Sequence, residues 1–454
     1  MQKAKALLCL LLSMVLCISM SSASSAAPEP ALLSESAILI DGDTGQILLD
    51  KSMHEKMHPA SITKIMTGLL ALELGSMSDI ITMSHEAVFS IGRNTSHIAL
   101  DTNEQITMEQ ALYALSIASA NDAANGIAEH IGGSMEDFTA LMNARAIEAG
   151  ALNTHFSNAH GLPEDDHYTT AYDMAQITMA AIKAPGFTEF FSSSRYDIPP
   201  TNKQPEIRFL RTKNAMLTGA YKYEGIIAEK TGWTSTSQHT LVTAARRNGR
   251  TLIAVVMKSS EQKDKWEDTT ALLNYGFDAL ERITFTPEEL SREGLSITDT
   301  QGAERIVSLT AEAEFSCLIP KQLTRSDIQI TYTVETFPAE GHVPVTLCFQ
   351  LPSSSAYSLL GEASATALLE PEEPLAQSGE DGVQGALAQN GSPLSEKPPS
   401  SGVKAVLGWI FGILGGLLGL AVLAYGVLYA RYIIIQRRIR KGRQAERSAR
   451  GNQR

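Results

Sequence analysis

Strand signals on both flanks of a long helical stretch limit what this chain can fold into more than any other feature. Residues 37–50 read Ala-Ile-Leu-Ile-Asp, then Gly-Asp-Thr-Gly, then Gln-Ile-Leu-Leu-Asp, the pattern of two strands joined by a tight turn. Residues 240–247 and 250–257 are two further β-rich runs. They are joined by Asn248-Gly249, a strong short-range hairpin signal. Between these flanks, residues 106–191 carry Ala, Met and Leu at three- and four-residue steps, which predicts helices. Another helix is predicted over 62–74, opened by Pro59 and stopped by Gly75, and a last one over 268–282. Strands, helical insert, strands: such a chain closes an antiparallel sheet from its two sequence ends and packs helices beside it. The expected class is α+β.

At 454 residues the chain exceeds one compact core. Residues 1–27 read as a secretory signal, with Lys3 and Lys5 before an apolar run and a small-residue stretch that fits cleavage after Ala23 or Ala26. Residues 284–352 are rich in Thr, Val, Ile and Glu in short alternating runs and predict a small all-β domain. Residues 353–402 are dominated by Ser, Pro, Gly, Ala and Glu and predict a disordered linker. Residues 405–430 hold no charge, enough for a membrane-spanning helix, which we place at 403–431. The tail 432–454 is basic and follows Arg431 directly, which predicts a cytoplasmic C-terminus and an extracytoplasmic body, a single-pass type I arrangement. The net charge of −13 despite this tail leaves an acidic body, unsuited to nucleic acid. Cleavage would remove Cys9 and Cys17; Cys317 and Cys348 remain, and the exported setting permits a disulfide without requiring one.

Three short elements carry chemistry. Ser61-Ile-Thr-Lys64 opens the helix after Pro59, and residues three apart share a helix face, so hydroxyl and amine can meet. A serine becomes a nucleophile when a neighbour takes its proton, and a lysine does so when burial and nearby cations keep it neutral. The pattern alone does not identify a site, because Ser260/Lys263 and Ser401/Lys404 repeat it. Ser119-Ala120-Asn121 places a hydroxyl and an amide two residues apart, where Ser119 can relay a proton and Asn121 can orient Lys64 or a substrate carbonyl; the same triplet also suits an ordinary helix cap. Lys230-Thr231-Gly232 precedes the Asn-Gly hairpin, where an edge strand is expected. Lys230 and Thr231 offer a cation and a hydroxyl to a carboxylate, and Gly232 admits close backbone approach. A plain turn is the other reading of that triplet.

Taken in order, SxxK, SxN and KTG resemble the motif set of the β-lactamases and penicillin-binding proteins. Residues 59–67 (Pro-Ala-Ser-Ile-Thr-Lys-Ile-Met-Thr), 128–133, 153–156, 160–163 and 170–173 extend the resemblance to the low-molecular-mass D-alanyl-D-alanine carboxypeptidases. It covers roughly residues 31–282, and we assign 28–283 as the carboxypeptidase domain. The resemblance implies a β-lactamase/transpeptidase-like fold with a five-stranded antiparallel sheet beside a helical cluster. It further implies Ser61 as acylated nucleophile and Lys64 as general base, Ser119 and Asn121 as the second catalytic element, and Lys230, Thr231, Gly232 and Trp233 as substrate-binding residues. Backbone N–H groups of Ser61 and Trp233 would form the oxyanion hole. Implied partners are a peptidoglycan pentapeptide ending in D-Ala-D-Ala, β-lactams as covalent inhibitors, and the membrane; no cofactor is implied. Ala120 departs from the usual Gly, Trp233 from His, Tyr or Phe, and Lys265 falls near an expected arginine.

Other classes fit less well. A class A β-lactamase needs a loop glutamate as deacylating base, and the setting of Glu164 does not resemble that motif. Related D,D-endopeptidase specificity stays open. A zinc peptidase would use His155, His160 and His167, but no His-Glu-x-x-His is present, so no metal is expected. A catalytically silent wall-binding protein should have lost Ser61, Lys64 or Lys230, and all three are present.

Overall fold

The computed structural model describes residues 29–369, apart from 301, 303, 335, 336, 338–340 and 352–358. The predicted signal, the membrane span at 403–431 and the basic tail lie outside the described residues. Among the described residues no helix is long and apolar enough to cross a membrane.

Strands β1 (Ser36–Asp41) and β2 (Ile47–Lys51) form the first hairpin. The stretch that follows carries two small hairpins, β3 (Ile80–Thr82) with β4 (Gln105–Thr107) and β5 (Arg195–Ile198) with β6 (Arg208–Arg211). Strands β7 (Ile226–Thr234), β8 (Gln238–Arg247) and β9 (Arg250–Ser259) complete an antiparallel sheet of order β2-β1-β9-β8-β7. Sequence ends therefore meet at β1 and β9, with Leu39 opposite Ala254, and β7 is left at the edge. The β8–β9 turn has Asn248 and Gly249 both at positive φ, 51° and 75°, the backbone that an Asn-Gly hairpin demands.

One sheet face carries the helical cluster. Helix α1 (Lys64–Leu74) runs through its middle with Ile65, Met66, Leu69, Leu70 and Ala71 buried, so apolar residues surround it rather than forming a stripe. Around it pack α2 (His85–Phe89), α3 (Met108–Ile117), α4 (Asn121–Gly132), α5 (Met135–Glu148), α6 (Ala171–Lys183) and α7 (Phe187–Phe191). Their starts are set by capping: Thr107 and Gln110 form a capping box, and Ser134 and Thr170 accept from the N–H groups of Asp137 and Asp173. After the short α8 (Ala215–Thr218), helix α9 (Gln262–Asn274) covers the opposite face, where Trp266, Leu272 and Leu273 share a core with Leu39, Leu241 and Ala254. The helix predicted over 268–282 is thus displaced. A capping box of Glu261 and Asp264 opens it at Gln262, its α-helical part ends at Asn274, a π-helical turn Tyr275–Ala279 follows, and residues 280–285 become a strand.

That strand, β10 (Leu280–Phe285), starts the β-rich part and pairs with β13 (Phe315–Pro320). Beyond the short helix α10 (Pro287–Leu290), β11 (Arg292–Thr298), β12 (Glu304–Ala311), β14 (Gln329–Thr333), β15 (His342–Gln350) and β16 (Leu359–Leu369) form a sheet of order β11-β12-β16-β15-β14. Strand β16 corrects the linker expected at 353–402. Its Ala- and Ser-rich sequence lacks the β-branched signal, yet Leu360, Ala365 and Ala367 are buried in mid-sheet between β12 and β15. Phe349 stacks on Phe315 with centroids 3.6 Å apart in the core between the two sheets. Cys317 and Cys348 are free thiols on strands of different sheets; burial pushes Cys317 up to about 12.

Candidate active site

Pro59 fixes the entry to a 3₁₀ turn, Ala60–Thr63, that leads into α1. Residues three apart eclipse in such a turn, which sets Lys64 Nζ 3.2 Å from Ser61 Oγ. The regular helix predicted here is therefore tighter at its start. Ala60 has φ +52°, a left-handed backbone that costs a residue with a Cβ about 1–2 kcal/mol. Close packing surrounds it. A Cβ on Gly161 would stand 1.9 Å from the Ala60 carbonyl oxygen, so only glycine fits there, and Thr240 Oγ1 donates to Pro59 O at 3.0 Å from strand β8.

Lys64 is fully buried. Besides Ser61, its Nζ reaches Asn121 Oδ1 and the His160 carbonyl, each at 2.6 Å. Burial, then the charge of Lys230, hold its pKa well below the ordinary lysine value, against an opposing pull from Asp122. In its uncharged form the Lys64 amine has two N–H groups and one lone pair. Asn121 and His160 offer only acceptors, so they take the two N–H groups and leave the lone pair facing the Ser61 hydroxyl. This arrangement can accept a proton from Ser61.

Ser119, with φ +55°, and Ala120 form a turn ahead of α4, not a side-chain cap. Ser119 Oγ is buried without a protein partner. Asn121 opens α4 and its N–H donates to Ser96 O at 2.8 Å. The next residue, Asp122, accepts from the N–H groups of Ile98 and Leu100, which pins residues 94–100 against the site.

Ser61, Ser119, Lys230, Thr231, Gly232 and Trp233 line a single cleft of about 850 Å³. Lys64 and Asn121 stand behind it, in contact through Ser61. The eight residues assigned to the site by the motif resemblance are thus brought to one place. Edge strand β7 approaches the nucleophile's turn so closely that a Cβ on Gly232 would lie 2.3 Å from Thr240 Oγ1 and 2.9 Å from the Ser61 nitrogen. Lys230 is buried and donates to Thr231 O at 2.9 Å. Trp233 is 61% exposed.

Sequence reasoning missed several contributors. Glu229 lines the cleft, is buried, and keeps one carboxylate oxygen without a partner. Its burial raises its pKa to about 7, against the lowering effect of Lys230. Burial brings Lys230 down to about 8; burial and then Lys230 bring Lys265 to about 8. Lys265, placed near the site by resemblance alone, does line the cleft. At neutral pH this wall keeps a positive excess that suits a carboxylate. The β6 hairpin adds Arg208 and Phe209 to the lining, a contribution that no motif announces. An acid directly before Lys-Thr-Gly was the one available signal for Glu229. Glu164, weighed as a deacylating base, accepts from Asn158 Nδ2 at 2.8 Å and is not among the cleft-lining residues. Of the three clustered histidines, His167 has both ring nitrogens in contact with protein partners, Ser157 N–H and Thr63 Oγ1.

Residues 22–261, more than half of the chain, match the model of peptidase family S11, D-alanyl-D-alanine carboxypeptidase. The D-alanyl-D-alanine carboxypeptidase DacF of Bacillus subtilis is 33% identical over 306 residues, 66% of this chain and 76% of its own length. DacA of Escherichia coli is 28% identical over 338 residues, 71% of this chain and 80% of its own. The crystal structure of penicillin-binding protein 5 from Haemophilus influenzae superposes with a TM-score of 0.60 at 25% identity, covering 75% of this chain and 98% of that one. A mutant of the Streptomyces K15 DD-transpeptidase gives 0.51 at 28% identity, covering 55% and 99%. With the motif residues gathered around one cleft and the sheet and helical cluster as expected, the chain belongs to the D-alanyl-D-alanine carboxypeptidase family.

Proposed function

We propose that this chain is a serine-type D-alanyl-D-alanine carboxypeptidase that removes the terminal D-alanine of peptidoglycan stem peptides through an acyl-enzyme on Ser61. The observation that carries this reading is the buried Lys64 amine, held by Asn121 and the His160 carbonyl with its remaining position toward Ser61 Oγ. Lys64 takes the hydroxyl proton as Oγ bonds to the carbonyl carbon of the penultimate D-alanine. The developing oxyanion is held by the backbone N–H groups of Ser61 and Trp233; one such donor contributes about 10²–10³-fold in rate. The proton then passes, with Ser119 Oγ as relay, to the leaving amine as the C–N bond breaks and free D-alanine departs. Water, deprotonated along the same route, attacks the ester and restores Ser61. Lys230, Thr231 and Lys265 receive the substrate's terminal carboxylate, which makes that end of the peptide the one that binds. β-Lactams, which carry a carboxylate beside a reactive amide, enter by the same route and leave Ser61 acylated.

The sequence outside the described residues supports an exported, single-pass membrane protein with this cleft on the extracytoplasmic side. Its position there would put the enzyme next to the cell wall. The reaction is tested by incubating the full-length chain with a peptide ending in D-Ala-D-Ala and assaying free D-alanine. Release by the wild type and none by Ser61→Ala is expected; equal release by both would end this reading.

A further inference from the structure

We infer that Thr63 and His167 are positioning residues that aim the Ser61 N–H, one of the two oxyanion donors, into the cleft. Neither residue lines the cleft, and both are fully buried. The Ser157 N–H donates to His167 Nδ1 at 3.0 Å, which leaves the ring proton on Nε2. Nε2 stands 2.9 Å from Thr63 Oγ1 and donates to it, and Thr63 donates in turn to the Ala60 carbonyl at 2.9 Å. Burial, then the neighbouring His58, push His167 down to about 3, so the ring stays neutral and keeps this one tautomer at working pH.

The consequence follows from the peptide plane. In a trans peptide the C=O and the N–H point in opposite directions. With the Ala60 oxygen drawn inward by Thr63 and closed over by Gly161, the Ser61 N–H must turn outward. That direction leads to β7, whose Gly232 lies against the Ser61 nitrogen. Ala60 holds φ +52°, a conformation that a residue with a side chain leaves readily when nothing holds it. The relay from His167 supplies that hold. Thr63 stands between nucleophile and base in sequence, yet its hydroxyl pairs with His167 and with the carbonyl that precedes the nucleophile.

The inference rests on the Ser61 reading above, and the experiment separates the two. Full-length wild type, Thr63→Val, Thr63→Ser, His167→Gln and His167→Leu are compared for D-alanine release and for affinity toward a peptide boronic acid, whose tetrahedral adduct on Ser61 sets an oxygen against the N–H in question. Thr63→Val is expected to lower kcat and boronate affinity by about 10–100-fold, with KM changed by less than about threefold. Thr63→Ser should restore both. His167→Gln, whose side-chain amide can still donate to Thr63, should keep most of the rate that His167→Leu loses. A folded Thr63→Val that matches wild type, or a Thr63→Ser as slow as Thr63→Val, overturns the inference. Should Thr63→Val not fold, equal rates for His167→Gln and His167→Leu overturn it instead. If the wild type neither releases D-alanine nor takes the boronate, the Ser61 reading itself has failed.

Discussion

The two walls of the cleft differ in how fully their ionisable groups are paired. On the helical wall Lys64 meets three protein oxygens, and the carboxylate of Asp122 is occupied by backbone N–H groups. On the sheet wall Glu229 keeps an orphaned oxygen, Lys230 donates to a single backbone carbonyl, and Trp233 is largely exposed. Groups that point at each other are preorganised for a reaction among themselves, whereas groups left unpaired are available to a ligand. Removing a residue from the first wall should therefore depress kcat, and from the second chiefly raise KM.

The sharpest way to break this contrast is Lys64→Met, which keeps most of the buried volume and removes the base. It should slow penicillin acylation by about 10³-fold or more, measured with a fluorescent β-lactam. A loss of less than tenfold would mean that the helical wall does not supply the proton acceptor. Lys230→Met comes next. Loss of about 10–100-fold in kcat/KM is expected, most of it in KM, and a pure kcat effect would erase the distinction between the walls.

Acidity sharpens the contrast further. Lys230 is brought down to about 8, so it carries its charge below that pH and loses it above. Carboxylate binding should accordingly weaken as pH rises through about 8, giving kcat/KM an alkaline limb there. Glu229 raises the Lys230 pKa, so Glu229→Gln should move this limb to lower pH, and a limb shifted upward would contradict the assignment. The smallest effect is expected of Trp233→Ala. Its side chain is exposed while its backbone N–H survives the substitution, so acylation by a small β-lactam should change by less than about threefold.

Much of this was legible in the sequence, and what was not has physical reasons. The Asn248-Gly249 turn could be read because its two positive φ angles demand those residue types. The three motifs could be read because proton transfer and carboxylate capture need particular side chains. Ala60 and Ser119 also adopt positive φ, yet nothing in an alanine or a serine announces it; their neighbours impose the conformation. Strand β16 was hidden because Ala and Ser signal a strand only when a neighbouring sheet has space for them. The roles of Glu229 and Thr63 depend on contacts across the fold, with Lys230 and Lys265 for the first and His167 for the second.

The central claim is that Lys64 is an uncharged amine facing Ser61 at working pH. The most direct test is ¹⁵N NMR of the lysine side chains over a pH range, with the Lys64 signal assigned by its loss in Lys64→Met. The account predicts that this nitrogen loses its proton well below the pH at which the exposed lysines titrate, and that acylation by penicillin rises with the same midpoint. A Lys64 signal that titrates together with the exposed lysines would contradict it.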